Sequence, residues 1–172
     1  MAPSSATKQT LYRQTCDIRM TEPLPAAQAA RRDWLAVLAR AGTEALEAHY
    51  QKAAPWPAVE PVRAPEIAMV MLRGRVGGTG EPFNFGEASL TRCALRLAGG
   101  SLGVGYALGR DRRKAELIAL FDARLQDPSA CRHAMEQVIE PLRQQQMLQR
   151  DAASRAAAST RVDFYTMVRG EA

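Results

Sequence analysis

The sequence predicts an α+β fold: a small, mostly antiparallel sheet, made of a central hairpin plus a C-terminal strand, packed with about four helices in a single domain. Three observations carry that prediction. Residues on either side of Gly99-Gly100 alternate at a period of two, as strands do. Apolar residues between 26 and 50, and again between 111 and 142, recur at helical spacings of three and four. A chain of 172 residues holds one domain with a real core, and two would be a tight fit.

Residues 1–25 are rich in Ser, Thr, Pro and Ala without periodicity and read as a flexible leader to a domain over 26–172. Trp34, Leu35, Leu38 and Ala41 then form one apolar stripe, and Gly42 is placed to stop that helix. Thr43 is the expected cap of a second helix, in which Leu46 and Tyr50 share a face. Prolines 55, 57, 61 and 65 mark a connector. From Ile67 to Val76, Met69 and Met71 occupy one parity and Val70 and Leu72 the other, which predicts a strand covered on both faces.

Ser89–Ala98 sets Thr91, Cys93, Leu95 and Leu97 against Arg92, Ala94 and Arg96, a half-exposed strand. Gly99-Gly100 predicts a two-residue hairpin turn. Ser101–Gly109 follows, its Gly103, Gly105 and Ala107 face inviting close backbone approach. Asp111 is the natural cap of a helix buried through Leu117, Leu120, Phe121 and Leu125. Ser129 is the expected cap of the next, which buries Met135, Val138, Ile139 and Leu142, kinks at Pro141 and runs on to Ser159 with little to bury. Val162–Val168 reads as a short strand joining the sheet.

Composition excludes several classes. Apolar residues at 47% and charged residues at 24% are ordinary globular values. A net charge of +5 favours acidic partners, yet the basic residues are dispersed and aromatics make up only 6%, which gives no support to a nucleic-acid-stacking surface. Cys16, Cys93 and Cys131 lie too far apart for a disulfide framework or a zinc site of usual spacing. The first residues lack the apolar core of a signal peptide, and no apolar run approaches the roughly 18 residues of a membrane span. A cytoplasmic location is the expectation.

The most informative run is Arg73-Gly74-Arg75-Val76-Gly77-Gly78-Thr79-Gly80, continuing to Gly86-Glu87-Ala88. So many glycines persist where the backbone needs positive φ or something approaches it closely. The Lys-Ser/Thr ending of a P-loop is missing, and no dinucleotide fingerprint is satisfied. Three readings stand: an anion-binding nest beside Arg73 and Arg75, a hairpin loop solving a geometric problem, or a surface for a partner's backbone. Arg112, Arg113 and Lys114 open a helix, where the macrodipole disfavours cations, and form a second candidate anion site. Asp111, Glu116 and solvent offer the simpler compensation.

Catalytic constellations are scarce. His49 and His133 each fall within a helix without a carboxylate or nucleophile at a recognised spacing. Glu81 and Glu87 flank the glycine run as a conceivable acid and base, though loop carboxylates are usually only solvated. Cys93 reads as a packed strand residue. No complete active site and no metal site is predicted.

The segment Met71–Gly80, with Pro82-Phe83-Asn84 and Gly86-Glu87-Ala88, closely resembles the PhnG family of bacterial carbon–phosphorus lyase core complexes. Thr91-Arg92, Gly103, Gly105-Tyr106, Leu108–Asp111, Ala115–Leu120, Thr160–Phe164 and Val168–Glu171 continue the likeness in order, from about Arg31 to Glu171. Residues 1–25, Cys16 and Cys131 have no counterpart in it. The resemblance implies a subunit that acts with the H, I, J and L components and is present in two copies per core complex. That assembly transfers the ribose 5-triphosphate moiety of ATP to an alkylphosphonate such as methylphosphonate and releases adenine. Chemistry of that kind is attributed in the family to the I subunit, so the implied role here is structural or allosteric. ATP would be a co-substrate of the complex, with no cofactor in this chain.

Overall fold

The computed structural model describes residues 23–160. The leader up to residue 22 and the strand expected over Val162–Val168 therefore lie outside the described residues. The chain falls into two units, 1–30 and 31–172. Within the first, the described residues end in the opening turn of helix α1 (Ala26–Arg40). The second holds the rest of α1, then α2 (Thr43–Lys52), β1 (Val59–Arg75), β2 (Pro82–Leu97), β3 (Leu102–Leu108), α3 (Arg112–Leu125), α4 (Pro128–Ala134) and α5 (Glu140–Ser159). One π turn, Met135–Ile139, joins α4 to α5 in a continuous rod. The α+β arrangement is the predicted one, with three antiparallel strands in the order β1-β2-β3 among the described residues.

α3 is the centre of the core, because β3 presents it with a face that has no bulk. A Cβ on Gly105 would stand 1.9 Å from the Ala115 carbonyl oxygen, and one on Gly103 would stand 2.0 Å from that of Ala119. Helix backbone thus lies directly on strand backbone, as the alternation of β3 predicts. The buried face of β2 is Thr91, Cys93, Leu95 and Leu97, also as its pattern predicts. Phe121, Leu117, Ile118 and Leu125 of α3 join Leu38, Leu46, Ile139 and Leu142 in one cluster.

A buried carboxylate ties these layers together. Asp122, with no exposed surface, accepts from Arg31 Nη2 at 2.6 Å, Trp34 Nε1 at 2.9 Å and the Val104 backbone N–H at 2.9 Å. Burying a charge is costly unless it is paired and fully hydrogen-bonded, and here it is both. One side chain therefore connects α1, α3 and β3.

Helix starts follow capping chemistry with two corrections. Asp111 caps α3 as predicted, its Oδ1 accepting from Lys114 N at 2.9 Å. Gly42 rather than Thr43 caps α2, because the Thr43 hydroxyl donates instead to Asp111 Oδ2 at 2.5 Å. Asp127 rather than Ser129 caps α4, with Pro128 in the first turn, where a missing N–H costs nothing. Pro141 sits directly after the π turn Met135–Ile139, in the first turn of α5, where its missing N–H is best tolerated.

The strands need three corrections. Pro61 and Pro65 lie inside β1 rather than in a connector, which an edge strand tolerates and which bulges at Pro61/Arg63 and Arg63/Glu66 accommodate. The turn at Gly99-Gly100 is longer than two residues: five, Leu97–Ser101, separate the paired Arg96 and Leu102, with Gly99 at φ +67°. Finally, the segment from Ile67 is not covered on both faces: Ile67, Met69 and Met71 are 42%, 61% and 51% exposed. Helix α3 packs on β3 and the inner half of β2, while β1 and the start of β2 run on past it. Both parities are apolar there, but no described element covers them.

Candidate functional site

The glycine–arginine run forms the end of that projecting hairpin. β1 and β2 stay paired to Arg75 and Pro82, about 23 Å of strand beyond the row Ala68–Leu90–Leu108 at which β3 stops. Each glycine solves a local problem. Gly77 has φ +60° and reverses the chain. Gly80 N donates to the Val76 carbonyl at 3.1 Å, and a Cβ on Gly80 would press that oxygen at 3.0 Å. Gly74 makes room for a ring, since a Cβ there would meet Phe85 at 3.1 Å. The register shift between Leu72 and Arg73 leaves Phe85 as the extra residue that forms this bulge.

Arg73 and Arg75 alternate with Gly74 and are exposed. Arg75 Nη1 donates to the Gly80 carbonyl at 3.0 Å, bracing the turn. Neither guanidinium has a carboxylate partner among the described residues. Thr79 is exposed at the tip beside Gly77 and Gly78. Around them stand Val76, Phe83 and Phe85, exposed by 72%, 46% and 58%, with the two rings 6.3 Å apart. The tip is thus an apolar surface carrying two arginines that have no carboxylate partner among the described residues.

Arg112 and Arg113 occupy a separate region. Arg113 is held by Glu47, with Nε to Oε2 at 3.0 Å and Nη2 to Oε1 at 3.1 Å, and by Glu116 at 3.3 Å, while its guanidinium lies 5.0 Å from the Tyr50 ring. Its hydrogen bond holds the Glu47 carboxyl below the usual range. Two carboxylates thus already offset its charge at the helix start, and Arg112 beside it is exposed.

On the face of the sheet away from α3, Val70 and Leu72 of the arm continue the outer surface, while Ile67, Met69 and Met71 share the face of Thr91 and Cys93. Cross-strand partners share a face, so Ala68, Leu90 and Leu108 form one row and Ala94 and Val104 another. Leu108 is 68% exposed and Tyr106 51%. Between them Glu66 bridges Arg63 and Arg92, each at 2.6 Å, and those hydrogen bonds lower its carboxyl, Arg63 contributing most.

Chemistry of the catalytic kind is not assembled on this surface. Glu81 and Glu87 are exposed and separated by about 16 Å or more of extended strand, beyond the range of a working carboxylate pair. Cys93 is buried, and burial, with a smaller push from Glu116, raises its thiol to about 11. Among the described residues no three His, Cys, Asp or Glu side chains converge as a metal site. The structure does bring together His49 and His133, which the sequence left unrelated, on one cavity of about 300 Å³.

The family described as "Phosphonate metabolism protein PhnG" matches residues 29–170, which includes every element described except the first three residues of α1. The chain belongs to the PhnG family. A curated relative from Rhizobium meliloti (strain 1021), named "Alpha-D-ribose 1-methylphosphonate 5-triphosphate synthase subunit PhnG", is 44% identical over 150 residues, covering 85% of this chain and 93% of the relative. In this PhnG-family chain both candidate arginine groups lie inside the matched span. Asp122 and the two-histidine cavity lie there as well, and neither was singled out from sequence. The one signal for Asp122 is a carboxylate inside the otherwise apolar, buried stretch from Leu117 to Ala123.

Proposed function

We propose that this chain is a non-catalytic subunit of a synthase that transfers the ribose 5-triphosphate moiety of ATP to an alkylphosphonate such as methylphosphonate, releasing adenine. The name of the 44% identical relative supports the product, a ribose 1-methylphosphonate 5-triphosphate; ATP as donor and adenine as leaving group are what the resemblance to the family implies. One observation carries the non-catalytic part: the surface richest in exposed large apolar residues, the β1–β2 arm, carries two arginines without a carboxylate partner among the described residues, and its Glu81 and Glu87 stand too far apart to work as a pair. Apolar surface of that extent marks a site for another protein. The second half of α5 supports the same reading, with Met147 and Leu148 59% and 69% exposed and everything after them exposed.

The partners in this reading are the H, I, J and L components, with two copies of this chain per complex in the cytoplasm. Stable protein interfaces bury roughly 1,000 Å² or more, so in this reading the arm is covered together with neighbouring surface. Arg73 and Arg75 would meet acidic groups or phosphate there. The decisive test is Arg75→Ala, assayed for co-purification with the partner components and for adenine release from ATP. Lost assembly makes the arginine an interface residue; lost release with normal assembly places it at substrate; neither loss refutes both roles. An autonomous anion or nucleotide binder is the second reading, favoured by the same two arginines. It requires the isolated chain to bind ATP.

A further inference from the structure

The cavity between α2, α3 and the α4–α5 rod is lined by His49 and Lys52 at the end of α2, Phe121 and Arg124 of α3, and His133 and Val138 of the rod. The π turn supplies Val138 and Gln137, and π turns inside helices are frequent at functional sites. Four of these side chains are cationic or can become so, and no carboxylate lines the space. Arg124 is anchored through Nη1 to the Ala53 carbonyl at 2.8 Å and over the Trp56 ring at 4.8 Å, which uses one of its five donors. Neither Arg124 nor Lys52 has an ion-pair partner among the described residues. Helix C-termini favour cations, and His49, Lys52, Arg124 and His133 each lie in the last turn of a helix. That accounts for each cation on its own helix, and not for four of them lining one cavity from three elements.

We propose that this cavity binds a small organic oxyanion of the phosphate or phosphonate type, its charged head among His49, Lys52, Arg124 and His133 and its organic part over Ala53 and Pro141. Guanidinium, ammonium and imidazole donors suit a tetrahedral oxyanion, and about 300 Å³ is the lower end of the size of small-ligand sites. At present burial, and then the charge of Lys52, hold His49 below the ordinary imidazole value. A bound anion would reverse that balance. The site stands on this chain's own residues, independent of assembly.

The chain has only two histidines, so ring-labelled histidine gives two imidazole signals, assigned with His133→Gln. The full chain is titrated with inorganic phosphate, methylphosphonate and phenylphosphonate, against chloride at matched ionic strength. Saturable movement of both signals, tightest for phenylphosphonate, is the expected result. Lys52→Gln, an exposed position whose loss leaves the fold intact, should weaken binding about tenfold. Signals that do not saturate, that move equally with chloride, or that ignore Lys52→Gln overturn the site. Phosphate binding as tightly as phenylphosphonate overturns the organic part of the ligand. Failure here leaves co-purification with the partner components untouched, so the two proposals fail separately.

Discussion

The inner and outer halves of this sheet are built from similarly apolar strands and differ in what lies against them. Under β3 and the inner half of β2, α3 packs so closely that glycine is the residue the space admits at positions 103 and 105. Along the arm, Met69, Met71, Phe83 and Phe85 are as apolar as any core residue yet stay exposed. Apolarity alone therefore does not say whether a strand stabilises this fold. The inner half was shaped by the chain's own helix, and the arm carries surface that the described chain leaves unused.

Two glycines break or confirm this contrast most sharply. Gly105→Ala drives a methyl group into the Ala115 carbonyl, where helix and strand would have to separate, and should cost about 3 kcal/mol or more. Gly86→Ala on the arm meets nothing within 4 Å and should change stability by less than about 1 kcal/mol. Urea unfolding of both variants decides the matter; equal losses would mean that arm and core are one packing unit.

Asp122 tests the inner half from the polar side. Asp122→Ala leaves Arg31, Trp34 Nε1 and the Val104 N–H without their shared acceptor and should cost about 3–5 kcal/mol. The outer half should respond in the opposite sense. Met71→Ser combined with Phe85→Ser should move the unfolding midpoint little, each within about 0.5 kcal/mol, while abolishing co-purification with the partner components. A large loss of stability would show these residues packing at home.

Sequence made the inner half legible because burial there follows period two. Thr91, Cys93, Leu95 and Leu97 face inward as their alternation predicts, and Asp111 caps its helix because an aspartate before a helical stripe has few other uses. The arm was misread for a physical reason. Val70 and Leu72 against Met69 and Met71 is the pattern of a strand buried on both sides, and a strand destined for a partner carries the same pattern. Pro61 and Pro65 concealed its beginning, since only an edge position with bulges makes them tolerable. Asp122 and its Arg31 partner stand 91 positions apart, and His49 and His133 meet across three elements; such convergence has no periodicity to betray it.

The smallest effect separates the halves by acid. Glu47, on α2, and Glu66, at the root of the arm, both have carboxyls lowered by hydrogen bonds, from Arg113 in one case and from Arg63 and then Arg92 in the other. A carboxylate lowered in the folded state contributes stability that is complete above its unfolded value and is lost as pH falls through the folded one. Both groups are solvent-accessible, so each contribution is modest and weakens with salt. Melting temperature followed from neutral to acid pH should therefore decline less steeply for Glu47→Gln, whose pair joins two core helices. For Glu66→Gln the outcome depends on the arm. If β1 melts together with α3, its acid limb flattens as Glu47→Gln does. If the arm opens locally before the core, the main transition keeps its acid limb, and the change appears only in hydrogen exchange of β1 amides. The unequal cover on the two halves predicts the second result.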